Sequence, residues 1–118
     1  MSTIAYSPND LLIDNRIYTW SPMASGDTGA PIGSTGSGDR TVQVQGTFGV
    51  GGTVVIEGSL DNVNWFTLRD PTGASLSFTS AGLKTVLENV VELRPRVTGG
   101  DGTTQITVIM AVRRSVNG

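Results

Sequence analysis

Residues 41–48, TVQVQGTF, alternate apolar and polar side chains: Val42, Val44 and Phe48 share one face with Gly46, and Thr41, Gln43, Gln45 and Thr47 share the other. Period two of this kind predicts a half-buried strand. After a GVGG turn the pattern resumes in TVVIEGSL with Val54, Ile56 and Gly58 inward, and it stops at DNVN, residues 61–64. Those asparagine and aspartate side chains bond their own backbone and favour a turn. WFTLRD then reads as a strand with Phe66 and Leu68 on one face and Trp65 and Thr67 on the other. Asp70, Pro71, Thr72 and Gly73 form the next turn, with proline at its favoured second position. Residues 83–91 carry the spacing of a short helix through Leu83, Val86, Leu87 and Val90. The window is short and β-branched, so strand and turn are preferred there.

The last two apolar runs flank a Gly-Gly-Asp-Gly turn. Val91, Leu93, Pro95 and Val97 alternate with Glu92, Arg94, Arg96 and Thr98, and Ile106, Val108, Met110 and Val112 form the matching face of the second run. The simplest reading is a hairpin pairing Val97 with Ile106, Pro95 with Val108 and Leu93 with Met110. Its outward face would then gather Arg94, Arg96, Ile109, Ala111 and Arg113 on one surface. Arg114 follows at its end.

The N-terminal third is different. RIYTWSPM, residues 16–23, has the alternation of a first strand, with Tyr18, Trp20 and Pro22 on one face. The stretch from residue 24 to 40, ASGDTGAPIGSTGSGDR, has no periodicity, and loops of that length are uncommon inside compact domains. The expected organisation is an extended N-terminal arm over residues 1–39, containing that possible strand and the glycine-rich loop, and a core over 40–118. Seven or eight short strands with closely spaced turns predict a single small antiparallel β-sandwich, jelly-roll or immunoglobulin-like.

Composition narrows the chemistry. The chain has 118 residues, the size of one domain. It has no cysteine and no histidine, which excludes disulfides, thiolate metal sites and histidine-based catalysis. No cofactor is expected. The net charge of −2 offers no concentrated basic surface for nucleic acid. No apolar run has the length of a membrane span, and the N-terminus lacks the regions of a signal peptide. Charge is uneven: residues 1–39 hold Asp10, Asp14, Asp27 and Asp39 against Arg16, and every base of the remainder except Lys84 is arginine.

Candidate sites read weakly one by one. Asp27, Asp39, Asp61 and Asp101 each adjoin glycine or asparagine, as turn residues do, and none fits a calcium-binding loop. Glu57 with Asp61 or Asp70 makes a poor glycosidase pair, because the glutamate lies on a strand and the aspartates in turns. GSTGSGDR lacks the lysine of a phosphate-binding loop. An enzyme is therefore not expected.

Two resemblances enter on motifs. GGTVVIEGSLDNVNWFTLRD is similar to one hairpin of discoidin-like carbohydrate-binding modules, and that likeness would give Trp65 a role in stacking on sugar. A wider set covers roughly residues 16–114: Gly-Thr-Phe-Gly at 46–49, Gly-Ser-x-Asp-x-x-x-Trp at 58–65, Arg-Pro-x-Val at 94–97 and Gly-Gly-Asp-Gly-Thr-Thr at 99–104. The set resembles small virion proteins of tailed bacteriophages. Leu60 and Asn62 depart from it, standing where the turn is often more Asn/Gly-like. The resemblance implies a capsid decoration or cement protein, made in the host cytoplasm and carried on the capsid surface. Its partners would be the major capsid protein and further copies of itself, as a homotrimer or homodimer. Tyr18 and Trp20 would then anchor the arm, while Arg94, Arg96, Ile109 and Arg113 mark the contact between copies. A tail, neck or fibre-associated virion protein is the alternative, and a carbohydrate-binding module the more distant one.

Overall fold

The alternation in residues 41–48 builds a strand whose Val42 and Val44 are buried and whose Gln43 and Gln45 are exposed. The same rule governs most of the chain. The computed structural model describes residues 3–12, 15–33, 39–88 and 90–113. They form twelve strands and no helix: β1 (Thr3–Ile4), β2 (Tyr6–Leu12), β3 (Asn15–Met23), β4 (Thr28–Gly29), β5 (Ile32–Gly33), β6 (Asp39–Thr47), β7 (Thr53–Ser59), β8 (Phe66–Thr67), β9 (Ser77–Phe78), β10 (Gly82–Thr85), β11 (Glu92–Thr98) and β12 (Gln105–Arg113).

These strands make two sheets in a sandwich-like arrangement. One has five antiparallel strands in the order β10-β6-β12-β3-β2. The other has seven, in the order β1-β4-β11-β7-β8, with β5 also on β11 and β9 also on β7. Val42, Val44, Val108 and Met110 of the first sheet share one core cluster with Val54, Ile56, Leu93 and Val97 of the second. Leu68, Leu76 and Val86 complete it from the connections. The expected all-β architecture of two packed sheets is present.

The terminal hairpin is a correction. β11 and β12 do not pair with each other. Leu93 is registered with Gly58 and Val97 with Val54 in the seven-stranded sheet, whereas Val108 is registered with Val44 and Met110 with Val42 in the five-stranded sheet. Both inward faces are as expected, but they belong to opposite layers. Stacking two apolar faces excludes water from both at once, while a hairpin would leave its doubled face needing another cover. Gly99 and Gly100, at φ 66° and 95°, let the chain turn from one layer to the other.

The N-terminal arm is the second correction. β3 pairs with β12 along most of its length, from Met23 opposite Ile106 to Asn15 opposite Arg113. β4 and β5 sit on β11, so part of the glycine-rich stretch is sheet. Residues 34–38 of that stretch lie outside the described residues. Trp20 has no exposed surface and Tyr18 keeps only 8% of its own. The Trp20 Nε1–H donates to the Ala30 carbonyl at 3.0 Å, and the ring of Tyr6 meets those of Tyr18 and Trp20 edge-on. These two aromatics are core residues and are not available as anchors on another protein. The alternation in β3 also breaks near its end: a register shift between Ile106 and Val108 buries Met23 and leaves Pro22 exposed. Residues 83–85 of the window 83–91 belong to strand β10, as the strand-and-turn reading expects.

Candidate interaction surfaces

The outer face of the seven-stranded sheet is organised around one carboxylate. Glu57 projects outward from β7, yet it is only 6% exposed. Arg94, its cross-strand neighbour, places Nε 3.0 Å from one carboxylate oxygen, and Arg96 places Nε 3.1 Å from the other. The guanidinium of Arg94 also stacks on Trp65, 4.0 Å from its ring centroid. Cation–π stacking and charge-assisted bonding thus act on one side chain. The two arginines expected at a contact surface are joined to their own sheet, and Arg94 covers one face of the Trp65 ring.

Ile109 and Arg113 lie on the opposite side of the molecule. β12 carries them on the outer face of the five-stranded sheet. Ile109 stands between Thr19 and Gln43, with Leu83 beyond, and Ala111 stands between Ile17 and Thr41, with Thr85 beyond. These two rows contain no charged side chain. At one end Asp39 and Arg113 face each other in register, beside a hollow of about 420 Å³ that Ile17 and Ala111 also line. The expected single patch of Arg94, Arg96, Ile109 and Arg113 is therefore divided between two faces, as the separation of β11 and β12 requires. Arg114 lies outside the described residues.

A third surface was not foreseen. At the edge formed by β8, a groove of about 430 Å³ is lined by Leu60, Phe66, Leu68, Val90, Asp61 and Glu88, among others. Phe66 is 70% exposed, although its spacing from Leu68 suggests a shared buried face. β8 holds only two residues, too few to carry the alternation through. Gly58 forms the groove floor: a Cβ there would lie 2.7 Å from Val90 and 2.8 Å from Leu68. The 59–64 turn forms one wall. Its Asp61 carboxylate accepts from the backbone N–H groups of Val63 and Asn64, the Asn64 side chain and the Ser59 hydroxyl. Those bonds hold its pKa well below the ordinary carboxylate range. On the other side, burial pushes Glu88 up, but bonds from the Arg69 side chain and N–H outweigh it and leave the group lowered.

Asp27, Asp70 and Asp101 have local tasks. Asp70 accepts from Thr72 and Ala74, and Asp101 from Thr103 and from the Val50 N–H. Asp27 accepts from the Ala24 N–H, while Asp39 begins strand β6 and is not in a turn. Among the described residues no three acidic groups gather where they could hold a metal ion. Arg40, unremarked in the sequence, is 1% exposed and donates to the Glu88 carbonyl at 2.5 Å. Burial lowers its pKa, against the opposing pull of Asp39 and Glu88.

No protein-family model matches this chain, and no curated protein matches it. Among solved structures, the SPBc2 prophage-derived protein YomS superposes with a TM-score of 0.63 at 13% identity, over 88% of this chain and 98% of that one. Protein NMB1881 from Neisseria meningitidis gives 0.39 at 11% identity, over 93% of this chain and 82% of that one. At these identities the first likeness is one of fold: this chain is similar in its all-β, two-sheet architecture to YomS. The second carries no argument.

Proposed function

We propose that the protein is a structural component of a bacteriophage virion, of the capsid decoration or cement type. The observation that carries this reading is the likeness of fold to a prophage-derived protein across 98% of that protein's length. The Gly-Thr-Phe-Gly, Arg-Pro-x-Val and Gly-Gly-Asp-Gly-Thr-Thr motifs support it independently. The role is one of binding and not catalysis, made in the host cytoplasm and exercised on the capsid surface. The partners are the major capsid protein and other copies of this chain, with no part for nucleic acid or membrane.

Self-association, in this reading, uses the outer face of the five-stranded sheet. Its rows through Ile109 and Ala111 are uncharged, so apposing two copies desolvates no ion there. The face also spans several strands, which suits a symmetric contact made many times over a shell. A dimer or trimer satisfies this equally.

Counting copies per purified virion by quantitative mass spectrometry tests the proposal. A simple ratio to the major capsid protein is expected. A handful of copies would place the protein at the neck, tail or fibres. Absence from virions would remove the virion role altogether.

A further inference from the structure

The first two strands close one side of the sandwich. β1 is the last strand of the seven-stranded sheet and β2 the last of the five-stranded one, and Ala5 alone separates them. Together they cover Tyr18 and Trp20. The Ala30 N–H donates to the Ile4 carbonyl while the Ala30 carbonyl accepts from Trp20, and the Tyr6 ring meets both aromatics edge-on. Residues 3–12 thus complete two sheet edges at once. Their described side chains are nevertheless peripheral: Ile4 borders the core, and Tyr6 keeps 36% of its surface.

The tie to β3 is irregular. Pro8 offers no N–H to the ladder, and the register slips between Asn9 and Leu12. Leu12 stands opposite Asn15, and the sequence between them is Ile13-Asp14. Two-residue hairpins favour glycine or asparagine at those positions, because the central backbone takes positive φ, which a β-branched side chain resists. The same strands can pair without that turn. A β2 arriving from a second chain meets β3 with the same residues and leaves its own connection extended.

Position brings such a β2 near. β2 lies two strands from β12, about 10 Å across the sheet, and stacked sheets lie about 10 Å apart. A segment of the length of 3–12 spans up to about 33 Å when extended. A copy seated on the Ile109 face therefore has the β3 and β4 edges of its neighbour within reach. A chain on its own keeps its own segment, because tethering holds that segment at roughly millimolar effective concentration.

We infer that copies joined through the five-stranded sheet exchange residues 3–12, each placing β1 and β2 on the β4 and β3 of its neighbour. This rests on the self-association reading above and names what fixes the assembly once formed. Parting two copies then requires stripping strands from both sheets as well as separating the faces, so exchange acts on dissociation.

The chain has no cysteine, so an engineered pair reports which copy each strand sits on. Thr3 of β1 and Thr28 of β4 are opposite each other. The double variant Thr3→Cys/Thr28→Cys is assembled, checked by light scattering, oxidised with diamide and run denatured without reductant. Most chains are expected to be linked to one another, at twice the single-chain mass or more. Adding Ile109→Arg should return them to single chains bridged internally. Thr3→Cys alone should leave chains unlinked, and equal linking by it overturns the inference. Ile13→Asn/Asp14→Gly supplies a measurement that needs no cysteine: with the hairpin favoured, isotope-labelled and unlabelled multimers should trade subunits at least about tenfold faster. Internal bridges within a multimer, or unchanged trading, overturn the inference alone. Thiols that stay free also overturn it, since β1 would then lie on neither β4. For a chain that is single in solution the oxidation is run on decorated heads, where internal bridges again overturn it. No association between copies in either setting overturns the self-association reading as well.

Discussion

A Cβ on Gly99 would lie 2.3 Å from the carbonyl oxygen of Gly51. The two glycines belong to different crossings between the sheets, one from β6 to β7 and one from β11 to β12. The crossings are also bonded: the Val50 N–H donates to Asp101 at 3.0 Å, and the Thr104 hydroxyl to the Phe48 carbonyl at 2.9 Å. Gly99 has φ 66°, so an alanine there meets both backbone strain and collision. Gly99→Ala is expected to cost about 2 kcal/mol or more, beyond the usual gain from replacing glycine. Urea unfolding measures it. A stability equal to wild type would show that the crossings are not pressed together.

Trp20→Ala separates a core residue from an anchor. The ring is fully buried and its N–H is satisfied within the chain. Truncation should cost about 3–5 kcal/mol, the range for deleting a large aromatic from a core. Denaturant midpoints provide the check. A variant as stable as wild type but weak in binding capsids would restore Trp20 to an interface.

The faces of this fold were legible in the sequence, and the neighbours were not. Period two tells which side of a strand is apolar, so the inward positions of β6, β7, β11 and β12 follow directly. It does not tell whether two apolar faces lie side by side or stacked, and Val97 and Ile106 satisfy either arrangement. β4 and β5 have two residues each, below any period, so Thr28–Gly29 and Ile32–Gly33 read as loop. That made Trp20 look like part of an arm. Phe66 was misplaced for the same reason in β8. The one available signal for the groove was Leu60 and Val63, apolar residues in a turn otherwise built from aspartate and asparagine.

Arg94 and Trp65 should be energetically coupled. Their stack is partly buried and shares Arg94 with Glu57. A double-mutant cycle with Arg94→Met and Trp65→Ala is expected to give about 0.5–2 kcal/mol of coupling. Additive losses would mean that Trp65 is held by its other neighbours. The same stack predicts that polysaccharides leave Trp65 fluorescence unchanged, and saturable quenching would favour the carbohydrate-binding alternative.

Acid should destabilise the fold, and mild acid should not. Asp61, Asp70, Glu88 and Asp101 all have lowered pKa values through hydrogen bonds to their ionised forms. A carboxylate depressed in the folded state adds stability that is complete above its unfolded pKa. That stability is lost as pH falls through the folded value. With unfolded values near ~4 and no histidine in the chain, the urea midpoint should stay level from about pH 8 to about pH 5 and decline below about pH 4. A decline already between neutral pH and about 5 would place the controlling groups elsewhere.

Ile109→Arg tests the uncharged sheet face. Ile109 is partly exposed between Thr19 and Gln43, on the face of β12 opposite the buried Val108 and Met110. Folding stability should therefore change little, since surface substitutions away from special features usually fall within about 0.5 kcal/mol. In an assembly built on this face, each copy would instead bury an arginine opposite uncharged residues. The desolvation cost of an unpaired ion then favours separation. Light scattering on the pure protein should show the wild type as a multimer and Ile109→Arg as a monomer, with the same thermal melt at concentrations where both are monomeric. If the wild type is a monomer at every accessible concentration, copies meet only on the capsid, and the comparison moves to decorated heads. Undiminished cooperativity of head decoration by Ile109→Arg would then exclude this face as the contact between copies.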